Sequence, residues 1–147
     1  MIRPPHPDEG ERLREIAIAA KAHWGYPVEQ VQDWAGQGDF SAAGLEAKEF
    51  FVAEEDGRAV AFASLICRGA VCVLDDLWVE PDAMGKGIGS ALFRAAAERA
   101  RTLGSRTLEW EAEPHAVGFY ERMGGRYLRD SPLSPWGRVL PVMGVDL

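Results

Sequence analysis

Three glycines, at positions 85, 87 and 89, stand between a run of strand-forming residues and a stripe of apolar residues at helical spacing. At a helix N-terminus the first amides have no partner within the helix and the helix dipole is positive, so anions bind there. Glycine has no β-carbon, and a phosphate can therefore approach such a backbone closely. The segment indicates either a phosphate-binding turn or an ordinary tight connection from strand to helix.

The pattern of apolar residues on both sides of this turn predicts a mixed α/β fold in one domain over residues 1–147. We expect a mostly antiparallel sheet flanked by helices, in which strands 71–79 and 107–112 run parallel through a right-handed crossover. The predicted helices span about 8–23, 28–36, 87–103 and 114–123. The other predicted strands are 49–54, 58–67, 126–128 and 138–146, with turns at Asp56-Gly57 and Arg68-Gly69.

Two other phosphate-binding motifs do not match the glycine segment. A P-loop needs Gly-Lys followed by Ser or Thr, whereas Lys86 is followed by Gly87. A dinucleotide fingerprint that begins at Gly85 would need its third glycine at Ser90. Glu109 lies where that fingerprint has its ribose-binding acid, but the remaining chain is too short for a second mononucleotide-binding half.

The segment from Met84 to Gly89 resembles the acetyl-CoA loop of the GNAT N-acetyltransferase superfamily. That loop reads Arg or Gln, two residues, Gly, one residue, then Gly or Ala; Gly87 and Gly89 match it and Met84 departs from it. The resemblance implies a parallel strand pair splayed around acetyl-CoA, with the pyrophosphate on the amides of about 85–90 and the pantetheine arm on the backbone of Leu77 and Val79. The cofactor-binding residues assigned in this way are Leu77, Trp78, Val79, Met84, Gly85, Lys86, Gly87, Ile88, Gly89, Ser90, His115 and Phe119.

A second segment, residues 113–125, resembles the GNAT pattern Asn, two residues, Ala, two residues, Phe-Tyr, three residues, Gly-Phe. Glu113 replaces the Asn and Gly125 the final Phe. The matching positions are Ala116, Phe119, Tyr120 and Gly124. Together with the N-terminal helices, the resemblance covers nearly the whole chain and implies transfer of an acetyl group from acetyl-CoA to a primary amine.

Such a transfer needs a neutral amine and benefits from a proton for the departing thiolate. We expect direct attack in a ternary complex, because the two cysteines have no evident base beside them. Tyr120 matches the family tyrosine that protonates the thiolate; its alternative role is to fill the seam between helix and sheet. Glu109, Glu111 and Glu113 alternate along one face, and Glu111 is the first candidate for the base. Solvated charges or an ammonium-binding site are the alternatives for these glutamates.

Aromatic residues near the junction of the first two helices, including Trp34, lie where this superfamily usually covers its acceptor cleft. They suggest a compact acceptor, such as a cation held against the rings, with core packing as the alternative. The residues assigned to the acceptor are His23, Trp24, Tyr26 and Asp76. Arg138, beside Trp136, is expected to meet an acidic group of the acceptor or to close the sheet edge.

The formal net charge of −7 disfavours nucleic-acid binding and mildly favours cationic substrates. No metal is expected, since the three histidines are scattered, and no membrane partner is expected because no apolar run reaches about 20 residues. The start lacks the apolar core of a secretory signal, so we expect a cytoplasmic protein with Cys67 and Cys72 reduced. A homodimer is left open. The runner-up function is a non-catalytic module that binds or senses acyl-CoA.

Overall fold

The computed structural model describes residues 1–36, 38–135 and 137–147, so Trp136 lies outside the described residues. The helices are α1 (Gly10–His23), α2 (Val28–Gly36), α3 (Ala42–Ala47), α4 (Ile88–Thr102) and α5 (Val117–Arg122). The strands are β1 (Ile2–Arg3), β2 (Glu49–Glu55), β3 (Arg58–Arg68), β4 (Val71–Val79), β5 (Thr107–Glu111), β6 (Arg126–Asp130) and β7 (Pro141–Asp146). Short 3₁₀ turns cover Pro81–Ala83 and Pro114–Ala116. No helix within the described ranges is long and apolar enough to cross a membrane.

The seven described strands form one sheet in the order β1-β2-β3-β4-β5-β7-β6. The pairs β1–β2, β2–β3, β5–β7 and β6–β7 are antiparallel. Strands β4 and β5 are parallel, with Val71 opposite Thr107 and Val73 opposite Glu109. The predicted mixed α/β sheet with a parallel pair is therefore confirmed.

Most differences from the predicted elements lie at short segments. Strand β1 and helix α3 were not predicted, because two and six residues are too few to show a period. The helix predicted over 114–123 begins with a 3₁₀ turn, and the last strand begins at Pro141 rather than Arg138. The first helix begins at Gly10, whose α-carbon lies against the backbone of Phe40.

The Cα positions group the chain into two compact units. The N-terminal unit comprises Met1–Leu65 and Asp76–Ala96, and the C-terminal unit comprises Ile66–Asp75 and Ala97–Leu147. In the N-terminal unit the apolar side of α1 packs on β2 and β3, and Trp78 contacts this core from β4. Burying each large apolar side chain stabilises the fold by roughly 1.5–3 kcal/mol. The core residues are Leu13, Ile16, Ala17, Leu45, Phe50, Val52, Ala59 and Phe62.

In the C-terminal unit, β5 is the strand whose alternation separates core from surface. Leu108 and Trp110 are buried, whereas Glu111 is exposed. Gly125 follows α5, and a β-carbon there would lie 2.7 Å from the Trp110 ring. This close approach explains why a glycine stands where the GNAT pattern has Phe.

Cys67 and Cys72 form a disulfide, so the prediction of reduced thiols is wrong for this structure. The turn between β3 and β4 places the two residues opposite each other, with their α-carbons 4.0 Å apart. The prediction rested on the expected cytoplasmic location. It did not consider that a hairpin brings together two residues that are five apart in sequence. Cys72 Sγ also lies 3.1 Å from Ser105 Oγ, which donates to the carbonyl of Gly69.

Candidate active site

The glycine turn is an exposed segment of the N-terminal unit between β4 and α4. Gly85 and Gly87 have φ angles of 79° and 82°, in the left-handed region that favours glycine. Among the described residues, no atom lies within 4 Å of the position that a β-carbon would take at either glycine. The turn therefore leaves open space beside its backbone.

Several amides of this turn make no hydrogen bond within the described residues. Ala91 donates to the carbonyl of Gly87 at 3.0 Å, so α4 begins directly after Gly87 and its first three amides have no acceptor within the helix. Within residues 1–36, 38–135 and 137–147, no hydrogen bond uses the amide of Gly85, Lys86 or Gly87. Six successive amides, from Gly85 to Ser90, lie at or next to the positive end of the α4 dipole, an arrangement that attracts anions.

The side chains of Met84 and Lys86, on either side of Gly85, have separate surroundings. Met84, the position that departs from the GNAT pattern, ends the 3₁₀ turn and donates its amide to Pro81 at 3.2 Å. Lys86 is exposed and its ammonium lies 3.6 Å from Glu55. Because the backbone supplies the donors, the cradle does not depend on the side chain at Met84.

The last residues of β4, Leu77, Trp78 and Val79, are half-buried and lead directly into this turn. Asp76 precedes them, and its Oδ2 accepts hydrogen bonds from Ser64 Oγ at 2.5 Å and from Lys48 Nζ at 2.8 Å. Ser64 is fully buried on β3. Asp76, predicted to contact the acceptor, thus already has two donors from its own unit.

The aromatic residues assigned to the acceptor lie at the end of α1 and the start of α2, also in the N-terminal unit. His23 meets Trp24 edge to face at 5.1 Å, and Tyr26 meets Trp34 in the same way at 5.0 Å. His23 is exposed, Trp24 and Tyr26 are half-buried, and Trp34 is buried. Sequence reasoning missed that Lys21 lies over Trp34 and Trp78, since that contact depends on how α1, α2 and β4 pack together.

Tyr120 belongs to the C-terminal unit and lies on α5 with 7% of its surface exposed. Its ring packs against Trp110 at 4.9 Å and against Phe119 at 5.2 Å between centroids. A tyrosine that donates a proton and a tyrosine that only packs could both have these surroundings, so they do not distinguish the two predicted roles. Its catalytic role stays a prediction.

The three glutamates that are candidates for the base have different surroundings in the C-terminal unit. Glu111 is exposed at the end of β5. Glu109 accepts a hydrogen bond from Arg129 at 2.7 Å. Glu113 is largely buried and pairs with His115 Nδ1 at 2.8 Å and Arg138 Nη2 at 3.4 Å. Arg138 therefore has a carboxylate partner within the chain, which the 25-residue separation hid from sequence reasoning.

The described residues contain no group of three or more His, Cys, Asp or Glu side chains that could hold a metal ion. The predicted site residues fall into two sets. The glycine turn, the end of β4, Asp76 and the aromatic residues of α1 and α2 lie in the N-terminal unit, whereas Tyr120, Phe119, His115 and Glu111 lie in the C-terminal unit.

A model of the acetyltransferase (GNAT) family matches residues 11–125. That span contains the glycine turn and the α5 segment, and it covers most of the chain. The chain therefore belongs to the GNAT acetyltransferase family, whose members use acetyl-CoA as the acetyl donor.

Known relatives agree with this class. An uncharacterised N-acetyltransferase of Methanocaldococcus jannaschii is 35% identical over 85 residues, which are 51% of this chain and only 38% of that protein. A GCN5-related N-acetyltransferase from Rhodopseudomonas palustris is 27% identical with a TM-score of 0.85, over 100% of this chain and 95% of that one. The PaiA N-acetyltransferase of Thermoplasma acidophilum, solved with coenzyme A, has the same fold at 18% identity, with a TM-score of 0.83 over 100% and 98% of the two chains.

Proposed function

We propose that this protein transfers the acetyl group of acetyl-CoA to a primary amine by direct attack in a ternary complex. The observation that carries the proposal is the open run of amides from Gly85 to Ser90 at the start of α4, directly after the half-buried end of β4. Those amides would bind the pyrophosphate, and the backbone of Leu77 and Val79 would bind the pantetheine arm. Family membership supports the same donor.

In the proposed reaction the amine nitrogen bonds to the acetyl carbon as the carbon–sulfur bond breaks. Tyr120 donates its phenolic proton to the departing sulfur. Glu111 accepts the proton that the amine loses, directly or through water. His23, Trp24, Tyr26 and Asp76 are proposed to face the acceptor, which is a small molecule or a peptide with an amine.

Replacing Gly87 by Val tests the donor site. A β-branched residue is strained at a φ of 82°, and its side chain would fill the space that the phosphates need. Gly87→Val should weaken acetyl-CoA binding by at least roughly tenfold, the loss of about one charge-assisted hydrogen bond. Isothermal titration calorimetry on the folded variant measures this affinity.

Gly57→Val is the matched control. Gly57 has a φ of 77° in the β2–β3 turn and equally open surroundings, so both substitutions should cost a similar 1–3 kcal/mol, by order of magnitude, in unfolding free energy. Gly57→Val should keep wild-type affinity for acetyl-CoA. Equal affinities in folded Gly87→Val and wild type would remove the glycine turn from the donor site.

A further inference from the structure

Lys21 places an ammonium group on the faces of two tryptophans in the N-terminal unit. Its Nζ lies 4.9 Å from the centroid of the Trp78 ring and 5.6 Å from that of the Trp34 ring. Both distances are within the roughly 6 Å over which a cation is attracted to an aromatic face. The lysine comes from the last turn of α1 and the rings come from β4 and α2, so three elements meet at this ammonium.

The two rings, which we call the aromatic site, each have packing partners besides the lysine. Trp34 is buried and its ring meets Tyr26 edge to face at 5.0 Å. Trp78 packs against the core cluster of α1, β2 and β3. Indole faces fixed in this way are a preferred surface for organic ammonium groups, including quaternary ones.

The aromatic site is already occupied by a cation that belongs to the chain. Lys21 is attached to α1, so its local concentration at the rings exceeds that of any dissolved cation. An incoming cation would have to displace the lysine and would be repelled by its charge while the lysine stays. A ligand without a positive charge at this position meets neither obstacle.

We propose that Lys21 is a specificity-determining residue that keeps organic cations out of an aromatic site formed by Trp34 and Trp78. The part of an acceptor that reaches this surface is then neutral or anionic, which at Trp34 replaces the expectation of an acceptor cation held against the ring. This consequence for the acceptor rests on the proposed acetyl transfer. The occupation of the aromatic site by Lys21 does not depend on acetyl transfer, and a binding measurement alone can test it.

The test measures the affinity for tetramethylammonium by isothermal titration calorimetry at constant ionic strength. Lys21→Met removes the internal cation and keeps a flexible apolar stem, and Lys21→Gln is a second variant that replaces it with a neutral polar group. Circular dichroism establishes that each variant is folded. Either folded variant should bind tetramethylammonium roughly tenfold more tightly than wild type, as expected for a cation–π contact. Neopentyl alcohol, a neutral molecule of similar shape, should show no such gain.

Arg101→Met is the charge-matched control, because it removes one positive charge from an exposed side chain paired with Glu98. It should leave the affinity for tetramethylammonium at the wild-type value. Adding Trp34→Leu to Lys21→Met should abolish the gain. The proposal is overturned if folded Lys21 variants bind no more tightly than wild type, if Arg101→Met gains equally, or if the gain persists without Trp34. None of these results depends on whether acetyl transfer occurs.

Discussion

At the scale of single residues, Tyr120 and Tyr127 form a useful contrast within the C-terminal unit. Tyr120 is buried against Trp110, whereas Tyr127 is 60% exposed on β6 and donates to Asp130 at 3.0 Å. That hydrogen bond is the main cause that raises the pKa of Tyr127 above its ordinary value of 10.0. The two residues allow the same chemical change, loss of a phenolic hydroxyl, to be made at a proposed catalytic position and at a surface position.

Tyr120→Phe should lower turnover by roughly 10²–10⁴-fold, the range typical of general acid–base catalysis, and leave acetyl-CoA affinity nearly unchanged. Phe keeps the ring that packs on Trp110, so the fold should be retained. Steady-state kinetics with a cognate amine measure the effect. Tyr127→Phe should behave like wild type.

Wild-type turnover in Tyr120→Phe would assign Tyr120 to packing alone. In the same assay Glu111→Gln should slow turnover if Glu111 accepts the amine proton. An unchanged rate would move that role to another group.

At the scale of elements, a cluster of charges joins β1 to the start of α1. Arg3 donates to Glu9 through two nitrogens, at 2.8 and 2.7 Å, and its Nε donates to Glu54 at 3.1 Å. The hydrogen bond from Arg3 is the main cause that lowers the pKa of Glu9 from its ordinary value of 4.5, while burial acts in the opposite direction. A two-residue strand is thus fixed by side chains as well as by its pairing with β2.

Glu9→Gln should lower the unfolding free energy by about 1–3 kcal/mol at neutral pH, the usual cost of losing charged hydrogen bonds. Because the folded pKa lies below the unfolded one, the contribution of Glu9 is complete above about pH 4.5 and is lost as the pH falls through the folded pKa. The stability difference between wild type and Glu9→Gln should therefore shrink in acid. Urea unfolding of both proteins, from neutral pH to below about pH 4.5, measures this difference in unfolding free energy.

Glu11→Gln, at an exposed acid in the same helix turn, is the matched control and should change stability by only a few tenths of a kcal/mol. A stability deficit in Glu9→Gln that stayed constant as the pH fell would contradict the assigned charge pair.

At the scale of the whole molecule, the features that sequence predicts are those with a local cause. The glycine turn follows from residue types within one segment, and the bounds predicted for β4 agree with the structure because the Arg68-Gly69 turn precedes the strand and Pro81 follows it. The contacts of Lys21 with Trp78 and of Lys48 with Asp76 depend on tertiary packing, so no spacing rule could predict them. The Cys67–Cys72 disulfide could have been predicted from the sequence, because the two cysteines flank the short predicted hairpin turn.

Acetyl transfer itself is tested most directly by release of the coenzyme A thiol from acetyl-CoA over a broad panel of amines, with mass spectrometry of the products. We predict saturable thiol release that requires an amine, matched by an acetylated product, reduced in Gly87→Val at subsaturating acetyl-CoA and retained in Gly57→Val. Tight binding of acetyl-CoA to the wild-type protein without acetylation of any amine in the panel would contradict the proposed function and favour a module that only binds acyl-CoA.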